Sequence, residues 1–424
     1  MLIKFLLNSK DLKRSAYVWN TATGLLIAAQ SVVMLILVSY TISLQSAGIL
    51  SIAYANANLL QYIGKWGMRQ YQVSDVCNEY SFTDYRNSRI VSCGLMTLVS
   101  IVVIIHLVVS NDYTVEKVLI VSFMCAFKIL DPIEEVFSAH YQKNGRLDIG
   151  SKCASVRIGS SLILFAIVLV ICKSVLIALI IMTAYSAIAV IILMKITFPM
   201  FANGDGGQNH GFRVRNVFNL LGACFPIFMS AFLQNYISNA PKYAIDSAMD
   251  DASQAYFGYL FSPVFVIVLL ASFIFNPILL DMSLLWKNHE KKAFTHRVIK
   301  QLGYIFLITI GVVIVGYVIG LRVLSILYNT NLMNFRSDFM ILLATGGFLA
   351  VSSLSIILLT IIRKQGYVLA VYIVAAICAM LFSTTAVESA GIHGAVMFYA
   401  LLTGAIFIVL LAILIKQCHT YQKK

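Results

Sequence analysis

Charged residues are scarce in this sequence. Asp, Glu, Lys and Arg together make up 12% of the 424 residues, whereas hydrophobic residues make up 60%. The hydrophobic residues recur in runs of about 20, the length at which a helix crosses a bilayer. So little charge in such long apolar runs excludes a soluble globular protein, and it predicts an all-α polytopic membrane protein.

Motifs for metals, disulfides, phosphate loops and secretion are also missing. The eight cysteines are scattered, with no Cys-x-x-Cys or paired Cys/His spacing, so we assign neither a metal nor a disulfide. The stretch GDGGQNHG lacks the Gly-Lys-Ser/Thr ending of a phosphate loop. Residues 1–10 have too short an apolar core for a signal peptide, and we interpret them as a short interfacial helix.

Loops between the apolar runs are short, none longer than about twenty residues, and this leaves no room for a soluble catalytic domain. We therefore expect function to lie among the helices or at their mouths, and we do not expect an enzyme. The apolar runs predict about twelve transmembrane helices. They lie near residues 16–40, 44–66, 88–110, 116–141, 150–172, 174–197, 216–238, 252–280, 297–320, 337–362, 366–387 and 392–416.

The runs form two groups of six on either side of a Gly-rich stretch. We predict an N-terminal six-helix lobe (1–202), a cytoplasmic linker (203–215) and a C-terminal six-helix lobe (216–424), with the two lobes around a central cavity. Most of the 31 Lys and Arg residues fall in loops on one side, and we count Arg89 and Arg157 among them. The positive-inside rule then predicts that both termini are cytoplasmic. The net charge of +13 is explained by this topology, so nucleic acid is not an expected partner.

The fourth predicted span carries unusual charge in the stretch FKILDPIEEVFSAHYQ (127–142). At helical spacing its polar residues share one arc, and they can pair along it. Proline 132 removes a backbone hydrogen bond near Lys128 and favours a kink. We expect this face to line an aqueous cavity; the alternative is a structural Lys128–Asp131 ion pair at a helix end. The polar arc contains Lys128, Asp131, Glu134, Glu135, Ser138 and Gln142.

Two other spans carry polar faces. In the second span Tyr54, Asn58, Gln61, Lys65 and Arg69 recur at helical spacing, and we interpret this face as a cavity wall; the alternative is a basic pair that snorkels to the interface. The seventh span ends in FLQNYISNAPKYAID, and we expect Pro241 to break or end it and Pro226, Pro263 and Pro277 to interrupt spans seven and eight. Its polar residues are Gln234, Asn235, Asn239, Lys242 and Asp246.

Four segments carry a family resemblance: WGMRQYQVSD, EEVFSAHYQKNGRLDIGSKCASVR, NAPKYAID and AYFGYLFSPVFVIVLL. With the twelve-span plan, they resemble bacterial O-antigen and capsular polysaccharide flippases (lipopolysaccharide biosynthesis proteins) of the multidrug/oligosaccharidyl-lipid/polysaccharide exporter superfamily. The resemblance covers nearly the whole chain, although its motifs are diffuse.

The resemblance implies a flippase in the bacterial inner membrane. It would move an undecaprenyl-pyrophosphate-linked oligosaccharide from the cytoplasmic to the outer leaflet by alternating access. Its implied partners are this lipid-linked substrate, membrane lipids, a polysaccharide polymerase and the chain-length machinery. We assign no cofactor, and the sequence leaves open whether H⁺, Na⁺ or the membrane potential drives transport. The implied roles are pyrophosphate attraction for Lys65, Arg69 and Lys128; substrate contacts for Asn58, Gln61, Asn235 and Lys242; and gating or ion coupling for Asp131, Glu135 and Asp246.

Three alternatives remain open from the sequence. A cation-coupled multidrug antiporter of the same superfamily would share the architecture. A membrane polysaccharide polymerase or glycosyltransferase would need a large outer loop or an acidic metal-binding motif, and the sequence shows neither. A scaffold for envelope enzymes would not need charges deep inside its spans.

Overall fold

A computed structural model describes residues 2–75, 79–201, 213–275, 278–362 and 364–422. Every regular element in these ranges is a helix. The chain divides into two compact units, Met1–Asn235 and Tyr236–Lys424. This division falls inside a helix. Residues 203–212 of the predicted linker lie outside the described residues, and the predicted lobe boundaries stay a prediction.

The N-terminal unit contains two short helices and seven long or medium ones, and it takes in the first part of a further helix, α10. Its packing brings α2 against α8, α3 against α5 and α6, and α7 against α4 and α8. The helices are α1 (Leu2–Leu7), α2 (Leu12–Thr41), α3 (Leu44–Lys65), α4 (Met68–Ser74), α5 (Phe82–Ser110), α6 (Val115–Lys128), α7 (Leu130–Lys143), α8 (Leu147–Cys172), α9 (Val175–Thr197) and α10 (Val214–Ala248).

The C-terminal unit begins within α10. Its helix α16 packs against α12, α14 and α17. A π-helical segment, Gly316–Gly320, joins α14 to α15, and α17 bends at Ala390 and Gly391, where Gly391 has φ 58°. The helices are α11 (Asp251–Phe261), α12 (Val264–Phe275), α13 (Leu279–Lys287), α14 (Lys291–Val315), α15 (Leu321–Leu327), α16 (Arg336–Ile361) and α17 (Gln365–Gln422).

Polar side chains fix where several helices begin. Ser43, Thr114 and Ser174 each accept a backbone N–H bond at the start of α3, α6 and α9. Ser81 and Asp84 form a reciprocal capping box at the start of α5. Asp250 caps α11 by accepting from the Ser253 N–H at 3.0 Å. These caps satisfy N–H groups that have no partner within the helix.

The predicted spans agree with the helices, with some different ends. Nine segments are long and apolar enough to cross a membrane, counted over the described residues. One of them, Gly366–Gln417, contains both of the last two predicted spans, which meet at the Gly391 bend. Two other predicted spans are not among the nine. The amides of α3 lower its hydropathy, and the fourth span is divided into α6 and α7, of 14 residues each.

Proline had less effect than predicted in the seventh span. The expectation that Pro226 interrupts it and Pro241 breaks or ends it was wrong, because α10 continues through both residues to Ala248. A proline removes one hydrogen bond, and packing against neighbouring helices can hold a membrane helix together around it. Pro263 does separate α11 from α12, as predicted. Pro277 lies outside the described residues.

Candidate functional site

A polar cavity of about 340 Å³ lies within the N-terminal unit. Helices α2, α3, α6, α7 and α8 supply most of its wall. Of the ten residues predicted for the site, eight line this cavity: Asn58, Gln61, Lys65, Arg69, Lys128, Asp131, Glu135 and Asn235.

The polar face predicted on the second span lies on the cavity wall. Tyr54, Asn58, Gln61 and Lys65 on α3 and Arg69 on α4 all line the cavity. They stay on one side because successive positions differ by three or four residues.

A turn at Trp66 and Gly67, with φ 47° and 64°, separates the two helices. A Cβ on Gly67 would lie 2.8 Å from Ile227 Cγ2, so this close approach requires glycine. The Trp66 indole also donates to the Leu221 carbonyl at 2.9 Å and stacks on Phe228 at 4.1 Å. The turn is therefore fixed against the first part of α10.

Proline 132, at which the sequence predicts a kink, lies just after the interruption between α6 and α7. Because proline has no N–H, the carbonyl four residues before it, that of Lys128, has no helical partner. Gln61 Nε2 donates to this carbonyl at 3.3 Å, and it also donates to Asp131. An amide of α3 thus compensates for the broken helix and holds one of its carboxylates in place.

Lys128 is only 2% exposed, although it lines the cavity. Its Nζ donates to Gln30 Oε1 at 2.8 Å and to Tyr54 Oη at 3.0 Å. Its ion pair with Asp131 is longer, 3.8 Å. The ammonium also lies 4.4 Å from the centre of the Tyr54 ring, within range of a cation–π interaction. The structural ion pair and the cavity wall, which the sequence offered as alternatives, are therefore both present.

Arg157 is the principal residue that the sequence analysis missed. We had assigned it to a loop, but it lies within α8, is 1% exposed and lines the cavity. Its guanidinium contacts Asp131 at 2.5 Å and Glu134 at 2.8 Å. The signal was available, because Arg157 lies ten residues after Leu147, where α8 begins, inside an apolar run. Because we counted Arg157 among the loop cations that set the topology, we did not consider it as a site residue.

Arg89 was also wrongly assigned to a loop. Helix α5 begins at Phe82, earlier than predicted, and Arg89 is 2% exposed within it. Its Nη1 donates to the carbonyls of Gly64 and Lys65 at 2.6 and 2.7 Å, and its Nη2 contacts Glu135 at 3.1 Å. Arg89 thus neutralises the carbonyl end of α3 and orients a predicted coupling carboxylate.

Two cavity cations have fewer partners. Arg69 donates to Gln142 Oε1 at 3.1 Å. The Lys65 ammonium makes no ion pair or hydrogen bond within the described ranges. The lining contains four cations against three carboxylates: Lys65, Arg69, Lys128 and Arg157 against Asp131, Glu134 and Glu135. Two buried atoms of this ion-paired group, Glu134 Oε1 and Arg157 Nη1, make no hydrogen bond to any described residue.

The apolar face of α7 packs into the protein. Leu130 belongs to a buried cluster with Leu6, Tyr141 and Ile149, and Val136 belongs to a second cluster. This packing holds the polar arc toward the cavity. The two remaining predicted site residues, Lys242 and Asp246, lie on α10 in the C-terminal unit. Neither is part of the cavity lining.

Comparison with known proteins identifies the fold. No family model matches the sequence, and no curated protein matches it. Solved structures do match over nearly the whole length. The inward-facing conformation of a multidrug resistance MATE family transporter of the MOP superfamily aligns with 100% of this chain and 98% of its own, at 11% identity and a TM-score of 0.65.

The chain has the MATE fold. The bent form of the Vibrio cholerae MATE transporter VcmN covers 97% of this chain and 98% of its own, at 13% identity and a TM-score of 0.60. A Pyrococcus furiosus MOP superfamily transporter covers 100% of this chain and 99% of its own, at 10% identity and a TM-score of 0.51. That transporter is described as having a binding pocket of reverse polarity that suggests a different function. These likenesses confirm the predicted all-α polytopic membrane fold.

Proposed function

We propose that this chain is a membrane transporter that carries its substrate past the charged cavity of the N-terminal unit by alternating access. The observation that carries the proposal is a cavity lined by eight of the predicted site residues in a chain with the MATE fold. Inward-facing and outward-facing conformations are both described for a MATE transporter of similar structure. Paired charges deep in a helical membrane protein usually mark a pathway for ions or substrates.

Multidrug antiport is the first candidate activity. The structures that resemble this chain over its full length include multidrug resistance transporters. The buried Glu134 Oε1, which has no hydrogen-bond donor among the described residues, offers a site for an organic cation or a coupling ion. Asp131 and Glu135 would then act in gating or coupling.

Flipping of a lipid-linked oligosaccharide is the second candidate, and cavity charge favours it. Cations outnumber carboxylates in the lining, and the Lys65 ammonium lies within ion-pair distance of no described carboxylate. Lys65 and Arg69 could attract a pyrophosphate, while Asn58, Gln61 and Asn235 could bind sugar hydroxyls. The roles predicted for Lys242 and Asp246 on α10 stay predictions. This substrate would place the protein in the bacterial inner membrane, beside the polymerase and chain-length machinery.

Reconstitution of the purified chain in liposomes would test both candidates. One assay follows efflux of ethidium driven by a proton or sodium gradient. The other follows a fluorescent undecaprenyl-pyrophosphate oligosaccharide with a quencher confined to one side. Gradient-driven ethidium efflux would support multidrug antiport, and quenching of more than half the labelled lipid would support flipping.

A matched pair of variants connects either activity to the cavity. We expect Lys65→Gln/Arg69→Gln to abolish flipping, if the chain is a flippase, or to spare or increase ethidium efflux, if it is an antiporter. Lys195→Gln removes an exposed cation of α9 outside the lining, and it should change neither activity. Wild-type liposomes inactive in both assays would contradict the proposed function.

A further inference from the structure

We propose that a second cleft, beside the N-terminal helix, binds the phosphate group of an anionic phospholipid. The cleft has a volume of about 410 Å³ and lies among α1, the start of α2 and the start of α8. It shares no lining residue with the charged cavity, so the inference is independent of the transported substrate. Its lining residues on or near α1 and α2 include Phe5, Lys10, Asp11, Arg14, Val18 and Trp19, and α8 contributes Lys152.

The floor of the cleft is rigidly built. Lys152, 3% exposed, donates to the carbonyls of Phe5 and Asn8 at 2.9 and 3.3 Å and to Ser9 Oγ at 2.8 Å. Arg146 donates to the Leu7 carbonyl at 2.7 Å. These are carbonyls at the end of α1 that no helical N–H can satisfy. Leu6, fully buried in a core cluster, anchors the same segment. The short helix is therefore held against α8 by two buried or half-buried cations.

Positive charge exceeds negative charge around this floor. Arg146 and Lys152 share one carboxylate, Asp148, at 2.9 and 3.8 Å. At the open part of the cleft, Lys10 and Arg14 are accompanied only by Asp11, which caps α2. Neither Lys10 nor Arg14 forms an ion pair with a described residue. Each group thus has two cations for one carboxylate, and the cleft should attract an anion.

The rim of the cleft favours a lipid over a free anion. Val18 lines the cleft and is 49% exposed; outside the lining, Tyr17, the residue before Val18 on α2, and Ile3 on α1 are 75% and 55% exposed. Trp19 packs edge-on against Phe5, with ring centroids 5.2 Å apart. Aromatic and aliphatic side chains beside basic residues are typical of the membrane–water interface. A phospholipid satisfies both features, because its phosphate pairs with the cations and its acyl chains cover the apolar rim, whereas inorganic phosphate satisfies only one.

The test is titration of the purified full-length chain with phosphatidylglycerol and with phosphatidylcholine, followed by native mass spectrometry. The cleft variant is Lys10→Gln/Arg14→Gln. The matched control is Lys4→Gln/Lys13→Gln, which removes the same charge from exposed positions of the same segment outside the cleft. Because each basic residue near an anionic headgroup adds appreciable attraction, we expect about a tenfold weaker affinity for phosphatidylglycerol in the cleft variant. The control should change by less than about twofold.

Lys10→Arg/Arg14→Lys keeps both charges and should retain the wild-type affinity, which separates lost binding from lost folding. Equal weakening in the cleft variant and the matched control would show diffuse attraction and overturn the proposal. So would unchanged affinity in the cleft variant. Displacement of phosphatidylglycerol by millimolar inorganic phosphate would also overturn it, since the site would then recognise a phosphate without its lipid.

Discussion

Arg157 pairs with two carboxylates; Asp131 also pairs with Lys128 at 3.8 Å, whereas Glu134 has no other ion pair among the described residues. Removing one partner of a buried ion pair typically costs about 3–5 kcal/mol, because the remaining charge cannot be solvated. We therefore expect Arg157→Met to destabilise the protein by about this amount. The measurement is the thermal unfolding midpoint of the purified protein in detergent.

A compensated variant provides the control for Arg157. Arg157→Met/Glu134→Gln also removes the carboxylate that Arg157→Met leaves without an ion pair, while Asp131 keeps its pair with Lys128, and we expect it to recover most of the lost stability. It should nevertheless remain inactive in transport if these charges gate the cavity. A single Arg157→Met variant as stable as the wild type would show that the ion pairs at 2.5 and 2.8 Å do not stabilise the N-terminal unit.

Lys65 and Lys128 line the same cavity, but their side chains differ in their contacts with the rest of the protein. The Lys128 side chain is buried and bonded to Gln30 and Tyr54, whereas the Lys65 side chain has no described ion pair or hydrogen bond. We expect Lys128→Met to lower both thermal stability, by about 2–4 kcal/mol, and transport. Lys65→Met should alter transport alone. Measuring the two quantities on both variants checks this, and a loss of stability in Lys65→Met would contradict it.

The polar faces of the cavity could be predicted from the sequence, but their ion-pair partners could not. Periodicity places Asn58, Gln61 and Lys65 on one side of a helix regardless of tertiary packing, and the structure confirms that side. Arg89 and Arg157 lie inside the predicted spans 88–110 and 150–172, but their carboxylate partners lie on α7, and no spacing within one helix predicts contacts between different helices. Helix ends are the least certain part of any periodicity argument.

Close packing between α3 and α7 depends on Gly64. A Cβ at this position would lie 2.9 Å from both Pro132 Cγ and Met96 Sδ. Gly64→Ala should therefore push α3 away from the α6–α7 break and weaken the Gln61 contacts, with a cost of about 1–3 kcal/mol. Thermal unfolding of the purified variant would measure this cost.

Gly159 on α8 is the matched control for Gly64. A Cβ at Gly159 would meet no atom within 4 Å. Gly159→Ala should thus leave stability unchanged or raise it by up to about 1 kcal/mol, because alanine favours the helix. If both variants behaved alike, contact between α3 and Pro132 would not limit stability.

A proline in the sequence does not by itself decide whether a helix breaks. Pro132 breaks its span, and an amide of α3 satisfies the freed carbonyl. Pro226 and Pro241 leave α10 continuous. The residue type is the same in all three cases, so the outcome depends on what packs around each one. That information is tertiary, and single-sequence reasoning lacks it.

The fold as a whole follows from hydrophobic run length, and nearly every predicted span corresponds to a helix. The division of the chain into compact units does not follow from it. The N-terminal compact unit takes in α10 up to Asn235, and the predicted start of the second lobe at residue 216 stays a prediction. Packing at the Trp66–Gly67 turn attaches this part of α10, and no composition signal marks that attachment.

The number of spans decides whether the two termini lie on the same side of the membrane. Nine long apolar segments, each crossing once, would place the termini on opposite sides of the membrane. Twelve spans place them on the same side. The difference depends on the polar helix α3, the broken pair α6–α7 and the bend of α17 at Gly391. We expect all three to cross, because the apolar faces of α3 and α6 are buried among membrane-spanning neighbours.

Reporter fusions would show on which side of the membrane the two termini and Gly391 lie. A fluorescent protein that matures only in the cytoplasm should be active at the N-terminus and after Lys424. Alkaline phosphatase, active only outside, should report when the chain is truncated at Gly391 and fused there. Termini on opposite sides would reject the twelve-span plan, and an inactive phosphatase at Gly391 would show that α17 does not turn outside the membrane.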